Sequence, residues 1–247
     1  MASLRDSAAC VGLSGNFSVL FDYFGFNCGL FDNPPVKRGL PSDPTNAQVQ
    51  VSLLRQIQRL EGEHFDVNLI LVGLDNFDSG DFDGLDYTVF KIRNIYNQQQ
   101  VGVGKVEWYG VDTADANGLD SPTSEDDLED VTHDWTVPND AIDVFVPFNM
   151  NVPSNGGSIL GLSPVDGPCN KNSSRMNGAV AGLWGGDQGA RTLSHEVGHY
   201  LGLEHRNSDP DNLMCQSGKA NSIRNSTELT NGQGDDIKDH CFMNSGC

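Results

Sequence analysis

Two kinds of apolar spacing alternate along this chain, and their order predicts its layers. Asp66 to Leu74 reads D-V-N-L-I-L-V-G-L, a short and nearly continuous apolar run that predicts a buried strand. Tyr87 to Gln99 places Val89, Phe90, Ile92, Ile95 and Tyr96 on one helical face. Val101 to Val111 returns to extended, β-branched character, and Ala141 to Phe148 predicts another buried strand. Ser158 to Leu162 and Ala179 to Trp184 are shorter strand candidates. A helix is predicted from about Gln188 to Leu201, and a short one from Thr230, as N-cap, to about His240. Upstream, Ala47 to Leu60 carries Val49, Val51, Leu53, Leu54, Ile57 and Leu60 close to helical spacing, with Thr45 or Asn46 as N-cap. Strand–helix–strand alternation of this kind predicts the α/β class, a largely parallel sheet with helices packed on it.

Before that pattern begins, residues 1 to about 44 are irregular, with many Gly, Asn and Pro, and Pro34-Pro35 and Pro41-Ser-Asp-Pro44 punctuate the exit. The start, Met-Ala-Ser-Leu-Arg-Asp, lacks the apolar stretch of a signal peptide. Either a leader has been removed ahead of an added Met or the protein stays inside. No run approaches the 18 or so apolar residues of a membrane span.

Composition narrows the partners. Thirty-four acidic against 15 basic residues give a net charge of −19, which repels phosphate backbones and anionic lipid surfaces and argues against nucleic-acid or membrane binding. Part of the acid is a candidate for Ca²⁺. Asp75 to Asp86 holds five aspartates and two glycines in D-N-F-D-S-G-D-F-D-G-L-D, although it does not match the EF-hand loop. Glu125 to Asp130 reads as a solvated loop. The six cysteines, Cys10, Cys28, Cys169, Cys215, Cys241 and Cys247, are even in number and contain no C-x-x-C pair. That spacing predicts disulfides and hence an oxidising, secreted setting. Proximity pairs Cys10 with Cys28, and Cys215 is expected to staple its loop to another part of the chain. His64, His133 and His240 read as surface histidines, and Trp108, Trp135 and Trp184 as core or loop anchors. Asn16, Asn172 and Asn225 open glycosylation sequons.

Residues 195 to 205 change the picture. They read H-E-V-G-H-Y-L-G-L-E-H, and the accidental expectation of that spacing at this composition is on the order of one in a hundred thousand. Positions four apart on a helix lie one turn apart on the same side, so His195 and His199 can grip a single ion. Gly202 tolerates the left-handed conformation that ends a helix, letting the chain turn and bring His205 round as a third ligand. Three neutral imidazoles and a water make a tetrahedral Zn²⁺ site with one open position. Glu196 can then take a proton from the activated water and pass it to a leaving amine. Amide hydrolysis suits this arrangement best.

The extended string, with a downstream methionine in Asp211-Asn-Leu-Met214, resembles the metzincin clan of zinc endopeptidases. The resemblance implies zinc on His195, His199 and His205, Glu196 as general base, and Met214 as an apolar floor that is not a ligand. It also implies a zincin fold: an upper sheet with two helices, a zinc cleft across the middle and a small irregular lower part. On this reading residues 65–247 form the catalytic domain, with an upper part 65–205 and a lower part 206–247. Residues 1–64 are then an accessory, propeptide-like or integral segment. An edge strand above the cleft, placed at Ser158 to Leu162, would pair with an extended polypeptide substrate. The subfamily stays open. The nine-residue step from His205 to Met214 is similar to matrixins, and Leu193 to Leu203 resembles the pappalysin helix, while Arg206 and Gln216 depart from the usual markers. Lys37 to Asp43 echoes a matrixin latency segment without its cysteine, and Cys28 sits in a poorer context for that role. The expected protein is a secreted, monomeric zinc endopeptidase; the competing readings are a non-catalytic zinc-fold binding module and a narrow-specificity, toxin-like protease.

Overall fold

In the computed structural model, residues 62–154, 157–172 and 176–245 are described. The predicted helix at Ala47–Leu60, the Cys10–Cys28 pairing, the latency candidates and most of the 1–64 segment lie outside them. The strands are β1 (Glu63–Val72), β2 (Gly102–Val111), β3 (Ile142–Pro147), β4 (Val152–Ser154), β5 (Gly157–Ile159), β6 (Gly161–Leu162), β7 (Ala179–Ala181) and β8 (Asn244–Ser245). The helices are α1 (Ser79–Asn97), α2 (Thr113–Ala116), α3 (Glu125–Asp134), α4 (Gly186–Tyr200) and α5 (Asn231–Lys238).

The main sheet has the order β2-β1-β3-β7-β6. Its first four strands pair in parallel, and β6 runs antiparallel to β7 at the edge. Strand β1 is central, with Leu69 opposite Trp108 on one side and Val144 on the other. Its side chains divide by the two-residue period of a strand. Phe65, Val67, Leu69 and Leu71 enter a core shared with α1 and α4, whereas Ile70 and Val72 enter one shared with Leu128 and Val131 of α3. Helices on both faces explain why β1 and β3 read as unbroken apolar runs. Each large apolar side chain buried in this way stabilises the fold by about 1.5–3 kcal/mol. Polar ties add direction to α1 on α4. The Tyr96 hydroxyl donates to the Ser194 carbonyl at 2.7 Å, and Tyr87 donates to Asp187 at 2.6 Å.

Several sequence expectations are corrected here. Helix α1 begins at Ser79, two turns before the expected Tyr87, because the acidic stretch builds its start. The Asp78 carboxylate accepts from the Gly80 and Asp81 amides, and Asp81 accepts from the Asp78 amide. Asp75 accepts instead from the Thr113 amide and hydroxyl, and Asp86 is buried within the helix. The expected Ca²⁺ loop at 75–86 is therefore a capped helix entry, and nothing supports calcium there. Glu125–Asp130 is not a loop but the first part of α3, started by a Ser124/Asp127 capping box. His64 and His240 are buried, not on the surface.

Below the sheet, the segment between β6 and β7 is tied down on several sides. Cys169 is disulfide-bonded to Cys241. The buried Lys171 ammonium donates to Asp143 at 2.8 Å and to the Val137 carbonyl at 2.9 Å. Among the described residues, the free cysteine is Cys215, which is buried and forms no staple. No described helix is long and apolar enough to cross a membrane.

Candidate active site

Helix α4 ends where the sequence places its glycine. Gly202 has φ of 92°, its amide bonds the His199 carbonyl at 2.9 Å, and the Leu203 amide bonds the Gly198 carbonyl at 2.9 Å. This is a Schellman ending. It reverses the chain so that His205 returns to the face that carries His195 and His199.

The three rings converge. His195 Nε2 and His205 Nε2 each lie 3.1 Å from His199 Nε2. Two nitrogens bound tetrahedrally to one zinc at 2.0–2.1 Å would sit about 3.3–3.4 Å apart, so the observed spacing is close to that of a shared ion. The other ring nitrogens explain the orientation. His195 Nδ1 is 2.7 Å from the Leu213 carbonyl and His199 Nδ1 is 2.6 Å from the Leu203 carbonyl. A carbonyl only accepts, so both Nδ1 atoms carry the proton and both Nε2 atoms keep a free lone pair. Lone pairs facing one another across 3.1 Å repel unless a cation lies between them. The donor set therefore fits a divalent metal, and among the described residues it is the one His, Cys, Asp or Glu group close enough to share an ion.

Electrostatics keeps the rings in the ligand form. Burial, reinforced by the Arg191 guanidinium, takes His195 down to about 3, and burial takes His199 down to about 4. The more open His205 is also lowered, by desolvation first and Arg191 next. Glu196 is buried beside the trio; its burial pushes the carboxyl up to about 8, against the pull of Arg191.

Two neighbours were not singled out from the sequence. Gly161 of β6 faces the Glu196 side chain so closely that a Cβ there would lie 2.6 Å from Glu196 Cγ. Gly198, on α4, leaves room for Met214, whose Sδ would be 2.7 Å from a Cβ at that position. Met214 itself is fully buried. Its amide donates to the Asn212 side-chain oxygen at 2.9 Å, and its carbonyl accepts from the Arg206 amide at 2.9 Å. The tight helix-to-turn contact leaves a signal in the sequence only as an unremarkable glycine between the first two histidines.

Residues 85–206 match the model of the Metallo-peptidase family M12B Reprolysin-like. No curated protein matches the sequence. Among solved structures, metalloproteinase-II from Bacteroides fragilis is 14% identical with a TM-score of 0.49, over 72% of this chain and 52% of that one. Archaemetzincin from Methanopyrus kandleri is 15% identical with a TM-score of 0.47, over 70% of this chain and 93% of that one. This chain thus spans about half the length of the Bacteroides protein. The family match runs from within α1 to one residue past the third imidazole, and over that stretch the chain is similar to the reprolysin-like M12B metallopeptidase family.

Proposed function

We propose that this protein is a zinc endopeptidase of the metzincin clan, with His195, His199 and His205 as ligands and Glu196 as general base. The observation that carries the reading is the meeting of three Nε2 lone pairs, two of them fixed by backbone acceptors, beside a buried carboxylate. Zinc bound there would lower the pKa of water towards neutrality and polarise the scissile carbonyl. A bound cation would offset the burial that raises the Glu196 carboxyl, and the ionised carboxylate takes the proton of the attacking water on one oxygen and delivers it to the departing amine nitrogen. Its burial excludes bulk water from competing for that proton.

Substrate is held by β6. This edge strand has β7 on one side, and Gly161 and Leu162 are half-buried. The preceding Leu160 carbonyl accepts from the Gly182 amide at 3.1 Å and the Trp184 ring at 2.9 Å, which anchors the strand from within. An extended polypeptide adding to the free edge gains main-chain hydrogen bonds with little demand on side chains. Such binding along a strand favours cleavage within a chain over removal of terminal residues.

The catalytic unit is residues 65–247, with the lower part, 206–247, beginning just after the third ligand. The Cys169–Cys241 bond supports an oxidising, extracellular location. The test is Glu196→Gln. The variant should keep one zinc per chain by metal analysis and lose about 10²–10⁴-fold of its casein or gelatin cleavage, the usual contribution of a positioned acid–base group. Cleavage that survives the change would remove Glu196 from the chemistry, and a wild-type protein that holds zinc but cleaves no peptide would favour a binding module.

A further inference from the structure

Arg191 lies one helical turn before His195 on α4. It is 3% exposed, an unusual place for a cation. Its charge is met by main-chain oxygens. Nη2 donates to the Leu213 carbonyl at 2.9 Å and to the Cys215 carbonyl, and Nε donates to the Ser226 carbonyl at 3.4 Å. Two of these acceptors flank Met214. One of them, Leu213, also holds the Nδ1 proton of His195. A carbonyl oxygen has two lone pairs, and here the guanidinium and the metal-site imidazole occupy both.

We propose that Arg191 is a positioning residue for the metal site, acting through the Leu213 carbonyl to set the orientation of His195 and the height of the Met214 turn. This rests on the zinc reading of the histidine trio. A purely structural role is a weaker account of the geometry. Burying a charge costs several kcal/mol of desolvation, and an aliphatic side chain would join α4 to the following turn without that cost. An aliphatic side chain, however, leaves the turn free to slide along the helix, because packing lacks direction. The planar fork of an arginine fixes two carbonyls at once, and with them the atom that fixes the imidazole. The Lys91 and Arg224 side chains line the same groove between α1 and α4, of about 230 Å³, but neither donates to those carbonyls.

The test is zinc affinity by competition with a chelating dye, together with the visible spectrum of the Co²⁺-substituted protein, in wild type, Arg191→Lys and Arg191→Gln. Lysine keeps the charge without the fork, and glutamine keeps a donor without the charge, so a folding failure in one leaves the other informative. Loss of a ligand-orienting partner typically weakens metal binding about 10–100-fold. Because Arg191 acts one bond further out, a rise in the zinc dissociation constant of about tenfold is expected, with a shifted Co²⁺ spectrum and lower kcat at unchanged KM. Arg224→Met, in the same groove, should leave affinity and spectrum as in wild type. Should both Arg191 variants fold and bind zinc within twofold of wild type with its spectrum, or should both fail to fold, the positioning role is overturned while the peptidase reading stands. Absence of zinc binding by the wild-type protein would overturn the peptidase reading instead.

Discussion

Gly161→Ala isolates the carboxylate from the metal. A methyl group at this position would lie 2.6 Å from Glu196 Cγ and 2.8 Å from both Cδ and Oε1. Non-bonded carbons settle at about 3.5–4.0 Å, so the Glu196 side chain must retreat by roughly 1 Å. Misplacement of a reacting group by that distance costs about 10²-fold in rate, equivalent to about 2.7 kcal/mol of transition-state stabilisation. The nearest atoms to the new methyl all belong to Glu196, so the imidazoles should be undisturbed. The expected outcome is a kcat about 100-fold lower on a fluorogenic peptide, with wild-type zinc content and an unchanged thermal midpoint. Activity within threefold of wild type would refute the reasoning. So would a higher KM at full kcat, which would mean that the edge strand, not the carboxylate, had moved.

Two further predictions concern stability. Lys171→Met leaves Asp143, which has no exposed surface, with donors from Asn68, Thr136 and Val137 but without its cation. The loss should be about 3–5 kcal/mol by urea denaturation, and the double variant Lys171→Met/Asp143→Asn should recover part of it; a single variant as stable as wild type would show that the pair contributes nothing. The hydrogen bond from Tyr87, with help from Lys91, holds the Asp187 carboxyl below its ordinary value. A folded-state value below the unfolded one stabilises the protein above about pH 4 and ceases to do so as pH falls through the lowered value. Tyr87→Phe should therefore cost about 0.5 kcal/mol at neutral pH, a figure reduced for the partly exposed setting, and nothing near pH 2; a difference that grows on acidification would contradict the linkage.

What was legible in the sequence was whatever repeats with a period. The two-faced burial of β1 and β3 shows as unbroken apolar runs, and the four-residue step from His195 to His199 shows directly as a shared helix face. The C-terminal helix starts where the sequence places it because Thr230 is both a polar breaker and an observed cap, accepting from the Gln233 amide at 3.3 Å, and it ends at Lys238, two residues short of the expected His240. The acidic segments are ambiguous in the sequence because charge alone does not distinguish a solvated loop from a helix start. The Ser124-x-x-Asp127 spacing and the buried Leu128 and Val131 were the available signals for α3. Contacts between distant segments had no local signature. Nothing around Gly161 announces that it must admit Glu196, and nothing around Arg191 announces three carbonyl partners. Cys215 shows the same limit from the other side: an even cysteine count suggested a staple, and its neighbours in space do not include a second thiol among the described residues.

The bond between Cys169 and Cys241 spans 72 positions of the chain, and every residue assigned to the chemistry lies inside that span. A protease that nicks itself or is nicked by another within this interval does not come apart there. The two pieces stay covalently joined, migrate as one species without reductant and separate only when the bond is reduced, so a cut inside this span would go unseen on a non-reducing gel.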